Sequence, residues 1–217
     1  MKPRLAPRAE AGLTLFEVGV VVAVVLIVLA VLLPVRGPSR RTEKINCTNY
    51  LKQIGLAYRI WEGDNADKYP MFVSVTNGGS MESAQTGNVT LTFEVMSNEL
   101  AATKILICPS DTNRLNAMSF GALANSNISY FIGIDVTNDL NPQAILSGDC
   151  NFELAGKPIK PGLVSFWTND PVTWGPDRHV RSGNLGLADG SVQSTTSKSL
   201  ARYWVDSGFA TNRLAVP

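Results

Sequence analysis

The chain has 217 residues, with 19 Lys and Arg against 18 Asp and Glu and a formal net charge of +1. The charges are scattered, so the composition indicates neither a basic nucleic-acid surface nor a polybasic membrane patch, and no nucleic-acid partner is expected. The length is sufficient for one soluble domain with a substantial core in addition to one hydrophobic segment.

The first predicted element is an apolar helix over residues 13–33, preceded by a short basic leader at residues 1–12. A helix of this length spans about 30 Å, roughly the hydrocarbon thickness of a bilayer. Glu17 is the one charged residue in the segment. A carboxylate in a membrane is costly and is usually kept for a partner or a function, although so near the helix start it can also extend to the headgroups.

The flanks of the apolar segment bear on processing and orientation. Residues 29–39 contain Pro34, Arg36 and Pro38, which makes ordinary signal-peptide cleavage after the segment unfavourable. Basic residues lie on both sides of the segment, so their count alone does not fix its orientation.

Gly12, Leu13 and Glu17 form a short pattern: a basic leader ending in Gly, then four residues, then a carboxylate. In this pattern, and in the position of Pro34, the chain resembles the type IV prepilin and type II secretion pseudopilin family. The resemblance implies cleavage between Gly12 and Leu13 by a prepilin peptidase, N-methylation of the new terminus and self-assembly with other pilin-like subunits through the helix. It also implies a single-pass inner-membrane protein with a periplasmic C-terminal domain, in contact with lipids and an assembly platform. Leu13 departs from the family, which usually has Phe or Met there.

Processing would give Glu17 a physical role in assembly. The ammonium group of a new N-terminus at Leu13 and the Glu17 carboxylate of a neighbouring subunit would neutralise each other in a filament core. Breaking such a pair from one side costs roughly 3–5 kcal/mol. The pair would therefore set the register between subunits.

After the apolar segment, Pro34 and the pair Gly37-Pro38 predict a bend or interruption of the helix. Residues 34–65 are then expected to form an amphipathic continuation. Its apolar stripe has helical spacing, which predicts a face packed on a globular domain. The stripe comprises Cys47, Tyr50, Ile54, Ala57 and Trp61.

Residues 66–217 are predicted to form that globular domain. The fold class is α+β, with a long N-terminal helix, membrane-spanning in its first half, packed on a small, mostly antiparallel sheet as in pilins. A hairpin at 184–193 with its turn at Asp189-Gly190 is the clearest strand signal. The other expected elements are a surface loop or irregular strand at 71–88, a helix rather than a strand at 94–100, strands at 104–108, 129–136, 145–146 and 163–167, a helix at 197–206 and a tail at 212–217.

Three further motifs narrow the resemblance to a smaller group within this family. They are the segment CTNYLKQIG at 47–55, Cys108-Pro109-Ser110-Asp111, and His179 followed after nine residues by Asp189-Gly190. With these motifs the chain resembles pseudopilin-like proteins abundant in the Planctomycetes and Verrucomicrobia group of bacteria. The resemblance therefore extends over the whole chain.

The sequence offers few candidates for chemistry. An enzyme would have to combine His179, the only histidine, with Asp189 and a Ser or Cys. No Gly-x-Ser-x-Gly pattern occurs, and the hairpin turn explains Asp189, so no catalytic residue and no enzymatic activity are expected.

No metal or cofactor is predicted either. The chain has three cysteines, Cys47, Cys108 and Cys150. They are far apart in sequence and do not resemble a zinc site, and their odd number allows one disulfide with three possible pairings. Asp170, Asp177 and Asp189 match no calcium-binding loop.

The main hypothesis is a structural subunit, a pilin or pseudopilin of a type IV pilus or a type II secretion-like filament. The alternative is a membrane-anchored extracytoplasmic domain that binds carbohydrate or protein and does not polymerise. Gly12, Leu13 and Glu17 favour the first, because a simple anchor needs neither a cleavable glycine nor a carboxylate in the membrane.

Overall fold

The computed structural model describes Gly12, residues 14–32 and Arg40–Pro217. The chain divides into two compact units, Met1–Ser39 and Arg40–Pro217. In the first unit, helix α1 spans Leu15–Leu32, and all of its residues as far as Ala30 are exposed. Among the described residues, no helix has both the length and the apolar character needed to cross a membrane. The predicted bend at Pro34 lies outside the described residues.

The second unit is α+β with an antiparallel sheet, as predicted. A six-stranded sheet has the order β5-β9-β1-β2-β7-β8, and a smaller sheet has the order β4-β3-β6. The strands are β1 Tyr130–Gly133, β2 Ile145–Asp149, β3 Phe152–Leu154, β4 Lys157–Pro158, β5 Gly162–Trp167, β6 Val172–Trp174, β7 Ser182–Leu187, β8 Val192–Thr196 and β9 Thr211–Val216. The helices are α2 Arg40–Asp64, α3 Met81–Gln85, α4 Thr90–Val95, α5 Ser97–Leu100 and α6 Ser197–Asp206.

Helix α2 packs against the large sheet through the predicted stripe. Cys47, Ile54 and Ala57 are fully buried and Trp61 is nearly so, whereas Ile60 on the opposite face is 46% exposed. Burial of an Ile or Leu side chain contributes roughly 1.5–3 kcal/mol, so the stripe holds α2 on the domain.

The large sheet has an apolar core on both faces. Phe131 and Ile132 follow each other in β1 but belong to different clusters, because successive strand residues point to opposite sides. The cluster with Ile132 contains the buried stripe of α2. The cluster with Phe131 contains Leu200 and Trp204 of α6, together with residues of the small sheet.

Several predicted elements are confirmed. Helix α6 has the predicted bounds, Gly208 follows it with a φ of 77°, and β7 and β8 form the predicted hairpin. Helices α4 and α5 cover the segment where a helix was favoured.

Other expectations were wrong or incomplete. Residues 104–108 are not a strand, because Thr103–Leu106 forms a buried 3₁₀ turn. The predicted loop at 71–88 contains α3 and two 3₁₀ turns. The predicted tail at 212–217 forms most of strand β9, which lies between β5 and β1 inside the sheet.

Candidate functional site

The predicted processing and assembly residues lie in or near α1. Gly12 is exposed, and Leu13 lies outside the described residues. Glu17 accepts hydrogen bonds from the backbone N and the Oγ1 of Thr14, both at 2.8 Å, and its own N donates to Thr14 Oγ1 at 3.3 Å. This reciprocal arrangement is a capping box, which satisfies backbone donors at the start of a helix. Within the chain, Glu17 therefore has a local structural role.

A second group of residues meets inside the Arg40–Pro217 unit. Sγ of Cys47, Sγ of Cys108, a carboxylate oxygen of Asp149 and a ring nitrogen of His179 all lie within 4.8 Å of one another. The two cysteines, Asp149 and the His179 side chain have no exposed surface. Among the described residues, this is the group of four that the fold brings into metal-ligating distance.

Four separate parts of the fold supply these side chains. Cys47 stands on the buried face of α2, and Cys108 follows the 3₁₀ turn at Thr103–Leu106. Asp149 ends β2, where it is paired with Tyr130 of β1. His179 lies in the turn between β6 and β7. The group exists only when helix, loop and sheet are assembled.

The backbone at His179 has an unusual conformation. His179, Val180 and Arg181 have φ values of 47°, 53° and 54°, in the left-handed region. Residues other than Gly seldom adopt this conformation, and a β-branched residue such as Val180 does so least readily. Strained backbone of this kind persists where the surrounding structure holds it, and it occurs frequently at functional sites.

The four side chains contact each other directly. Cys47 Sγ donates to Asp149 Oδ1 at 3.1 Å, and Cys108 Sγ lies 3.2 Å from His179 Nε2. The same Nε2 lies 3.6 Å from Asp149 Oδ2. In a Cys-His-Asp catalytic triad the thiol and the carboxylate contact different ring nitrogens, so this geometry differs from a triad.

Neighbouring polar groups orient the cluster. Ser110 Oγ donates to Glu43 Oε2 at 3.0 Å and lies 3.4 Å from His179 Nδ1. Because the serine proton is directed to Glu43, Ser110 Oγ can accept a proton donated by His179 Nδ1. In the neutral imidazole with its proton on Nδ1, Nε2 has a lone pair directed at Cys108 and Asp149.

Asp149 and Cys47 also have partners beyond the cluster. The backbone N and the Nδ2 of Asn184 donate to Asp149 Oδ2 at 2.8 and 2.9 Å. Tyr130 Oη lies 3.3 Å from Cys47 Sγ. These contacts fix the carboxylate and the helix thiol in place.

The environment shifts the titration of the cluster. Burial raises the pKa of the Cys47 thiol, and its contacts with Cys108 and Asp149 raise it further. A hydrogen bond with Cys47 lowers the pKa of Cys108 to about 7 despite burial, and His179 adds to this effect. Burial lowers the pKa of His179, but the hydrogen bond with Cys108 and the charge of Asp149 outweigh burial and raise it.

The Cys-Pro-Ser-Asp motif continues from the cluster into a buried ion pair. Asp111 Oδ2 contacts Nη2 of Arg178 and lies 3.2 Å from Arg114 Nε. Arg178 directly precedes His179 in the chain. Asp111 Oδ2 also accepts from Ser129 Oγ at 2.8 Å. One short motif thus places Cys108, Ser110 and Asp111 against the turn that carries His179.

The two ends of the His179 to Asp189-Gly190 motif have different roles. His179 joins the buried cluster, whereas Asp189 Oδ1 accepts from Ser191 N at 2.8 Å within the hairpin turn. The hairpin turn packs against α2. Arg59 Nη1 donates to Asp189 O at 3.1 Å, and a Cβ added at Gly55 would lie 3.5 Å from Gly190 Cα. The motif therefore spans β7, with one end near Cys47 and the other near Gly55.

Sequence reasoning found the components of this cluster separately. Cys47, Cys108 and His179 each belong to one of the three motifs, but their spacing did not indicate a shared site. Asp149 was not recognised at all. The three cysteines are free thiols, and Cys150 contacts Arg178 Nη1 at 3.5 Å, so no disulfide pairing follows from the structure.

The chain matches no protein-family model, no curated protein and no solved structure.

Proposed function

We propose that the chain is a structural subunit of a filament of the type IV pilus or type II secretion kind, a pilin or pseudopilin. The observation that carries this proposal is the exposed apolar surface of α1, along which Leu15, Val21 and Ile27 are 92%, 58% and 64% exposed. Contiguous apolar surface of this extent is unfavourable in water and marks a site of contact with lipid or protein.

Membrane insertion before assembly is part of the proposal. The proposed membrane segment is residues 13–33, whose two ends lie outside the described residues. The N-terminus would be cytoplasmic and the Arg40–Pro217 unit periplasmic, in an inner membrane. The leader would be removed after Gly12 by a prepilin peptidase, and an assembly platform would transfer the subunit to the filament.

The fold of the second unit supports the proposal without identifying the family. A long helix, α2, buries one face on an antiparallel sheet, as expected for a pilin-like domain. In the alternative, a membrane-anchored domain that binds carbohydrate or protein, α1 would contact lipid only and Glu17 would serve only as a cap.

Glu17 provides the test that separates these functions. Glu17→Gln keeps a side chain that can complete the capping box but removes the charge. Thr14→Val removes the hydroxyl of the box but keeps the carboxylate. Loss of one partner from a buried ion pair costs roughly 3–5 kcal/mol, so Glu17→Gln should lower the yield of sheared filaments at least about tenfold. Thr14→Val should lower it far less.

The measurement is made in native membranes, with N-terminal sequencing of each variant. A mature terminus at Leu13 in the wild type and in Glu17→Gln separates assembly from processing. Gly12→Asp is the processing control, since a Cβ added there would meet no described atom within 4 Å apart from its chain neighbours. A failure to cleave would therefore not reflect a clash with the described part of the fold. A terminus at Met1, or normal filaments from Glu17→Gln, would contradict the proposal.

A further inference from the structure

We propose that Cys47, Cys108, Asp149 and His179 form a tetrahedral zinc site that fastens helix α2 to the sheet. The site would be a structural element of the Arg40–Pro217 unit, beyond the filament function proposed above. It would hold whether or not α1 takes part in assembly.

The spacing of the donor atoms fits a metal of this kind. Zinc bonds of about 2.3 Å to sulfur and about 2.0–2.2 Å to nitrogen and oxygen place tetrahedral ligands roughly 3.3–3.8 Å apart. The contacts of His179 Nε2 with Cys108 Sγ and Asp149 Oδ2 are 3.2 and 3.6 Å, and the Cys47 to Asp149 contact is 3.1 Å. Cys47 contacts Oδ1 of Asp149 and His179 faces Oδ2, and all four donor groups lie within 4.8 Å of one another, so small side-chain movements would bring them around one ion.

With a neutral His179 imidazole, hydrogen bonds alone satisfy the cluster incompletely. The protons of two thiols can serve two of these contacts, Cys47 to Asp149 and Cys108 to His179. The Nε2 lone pair then still faces Asp149 Oδ2 at 3.6 Å in a site without exposed side-chain surface. A divalent cation replaces both thiol protons and interacts favourably with all four donor atoms.

The contacts around the cluster have the form that metal sites use to orient their ligands. A metal-bound His normally donates its other ring N–H to an oxygen acceptor, and bound carboxylates accept further hydrogen bonds. Here His179 Nδ1 meets Ser110, which donates to Glu43, and Asn184 donates twice to Asp149. The ligands are therefore held in position by the protein itself.

The donor set and its burial select zinc and a structural role. Two thiolates, one imidazole and one carboxylate in a tetrahedral arrangement suit Zn²⁺, whereas Ca²⁺ and Mg²⁺ require oxygen ligands. All four positions are taken by protein side chains, which characterises structural rather than catalytic zinc. Ser110 and His179 line a cavity of about 580 Å³, together with Glu43 and Lys44, so the cluster lies directly beside a cavity.

The principal competing chemistry is a disulfide between Cys47 and Cys108. It would form by loss of both thiol protons and two electrons to an external oxidant, and it would remove two metal ligands. Both thiols are free in the structure. Because a disulfide would use both of them, zinc binding and disulfide formation exclude each other, and one experiment can distinguish them.

The test uses the full chain in detergent, isolated without a reducing agent from zinc-supplemented cells. Elemental analysis should find about one zinc ion per chain, with the intact mass of three free cysteines. Cys47→Ser and His179→Ala should lose the zinc. Cys150→Ser, which alters the remaining cysteine, should retain it. Zinc-free protein with a Cys47 to Cys108 disulfide, or undiminished zinc in both ligand variants, would overturn the site.

A second measurement keeps the proposal testable if the ligand variants fail to fold. Wild-type protein is stripped with a chelator under reducing conditions and titrated with Co²⁺. Tetrahedral Co²⁺ with two thiolates should give visible ligand-field bands and thiolate-to-cobalt charge transfer, and zinc should abolish both. Ser110→Ala, which loses the partner of Nδ1, should bind about 10-fold to 100-fold more weakly with an unchanged spectrum. Octahedral Co²⁺ or no charge-transfer band would refute the site.

Discussion

Helices α1 and α2 differ in where their apolar side chains find contacts. In α2, one face is buried against the sheet and the other carries most of the polar residues. In α1, apolar side chains surround the helix, and every described residue as far as Ala30 is exposed. The apolar face of α2 is therefore covered within the chain, whereas the apolar surface of α1 as far as Ala30 is not covered by the described residues.

Two carboxylates show the same difference. Asp111 is buried and contacts two arginines, whereas Glu17 is exposed and, among the residues that the structure describes, hydrogen-bonds its capping partner Thr14. A buried charge is tolerated when it is paired, and removing one partner leaves the other uncompensated. Asp111 therefore belongs to the stability of the folded unit, while Glu17 is available for contacts beyond it.

The largest effect is expected when this buried charge is removed. Asp111→Ala should lower the free energy of unfolding of the Arg40–Pro217 unit by roughly 3–5 kcal/mol, because Arg178 loses its carboxylate partner in the interior. Glu17→Ala should leave that unfolding transition unchanged. Urea denaturation in detergent, followed by tryptophan fluorescence, measures both. Equal effects of the two variants would remove the distinction between the regions.

An intermediate effect is expected from three matched isoleucines. Ile54→Ala should destabilise the unit by about 2–5 kcal/mol, since Ile54 is fully buried. Ile60→Ala, on the exposed face of the same helix, and Ile27→Ala in α1 should change unfolding by less than about 0.5 kcal/mol. If α1 is an assembly surface, only Ile27→Ala should also reduce filament yield. An unfolding loss from Ile27→Ala would place its contacts within the chain.

The smallest effect is expected at two helical glycines. Gly55→Ala adds a Cβ at an ordinary contact distance from Gly190, so the gain in helix propensity should stabilise the unit by about 0.5–1 kcal/mol. A Cβ added at Gly19 would meet no described atom within 4 Å outside the backbone of its own helix, and Gly19→Ala should leave the unfolding of the unit unchanged. Thermal melting of both variants provides the comparison. Destabilisation by Gly55→Ala would show that the new Cβ approaches Gly190 more closely than the expected 3.5 Å from its Cα.

Elements with a regular spacing of apolar residues or a distinct turn sequence were predictable from the sequence. The stripe of α2 and the short amphipathic helix α6 repeat apolar residues at helical spacing, and Asp189-Gly190 marks the hairpin. The segment 104–108 was not predictable, because a short apolar run suits a buried strand or a helical turn equally well. Strand β9 was missed since its place is determined by β1 and β5, which lie far away in sequence.

The candidate site was predictable only in its parts. Cys47, Cys108 and His179 stand in recognisable motifs, and His179 is the only histidine in the chain. Their meeting depends on how α2 lies on the sheet and on the turn before β7, neither of which leaves a signal in the spacing. Asp149 had no signal of its own, because an aspartate at the end of a strand is common.

The position of β9 has a consequence for biosynthesis. The ribosome makes β1 and β5 before Thr211–Val216, so the edge of each strand that pairs with β9 is unpaired until β9 is inserted between them. Open edges favour pairing between copies of a chain. A product that ended prematurely within this strand would expose two such edges at once and would be a strong candidate for aggregation and proteolysis.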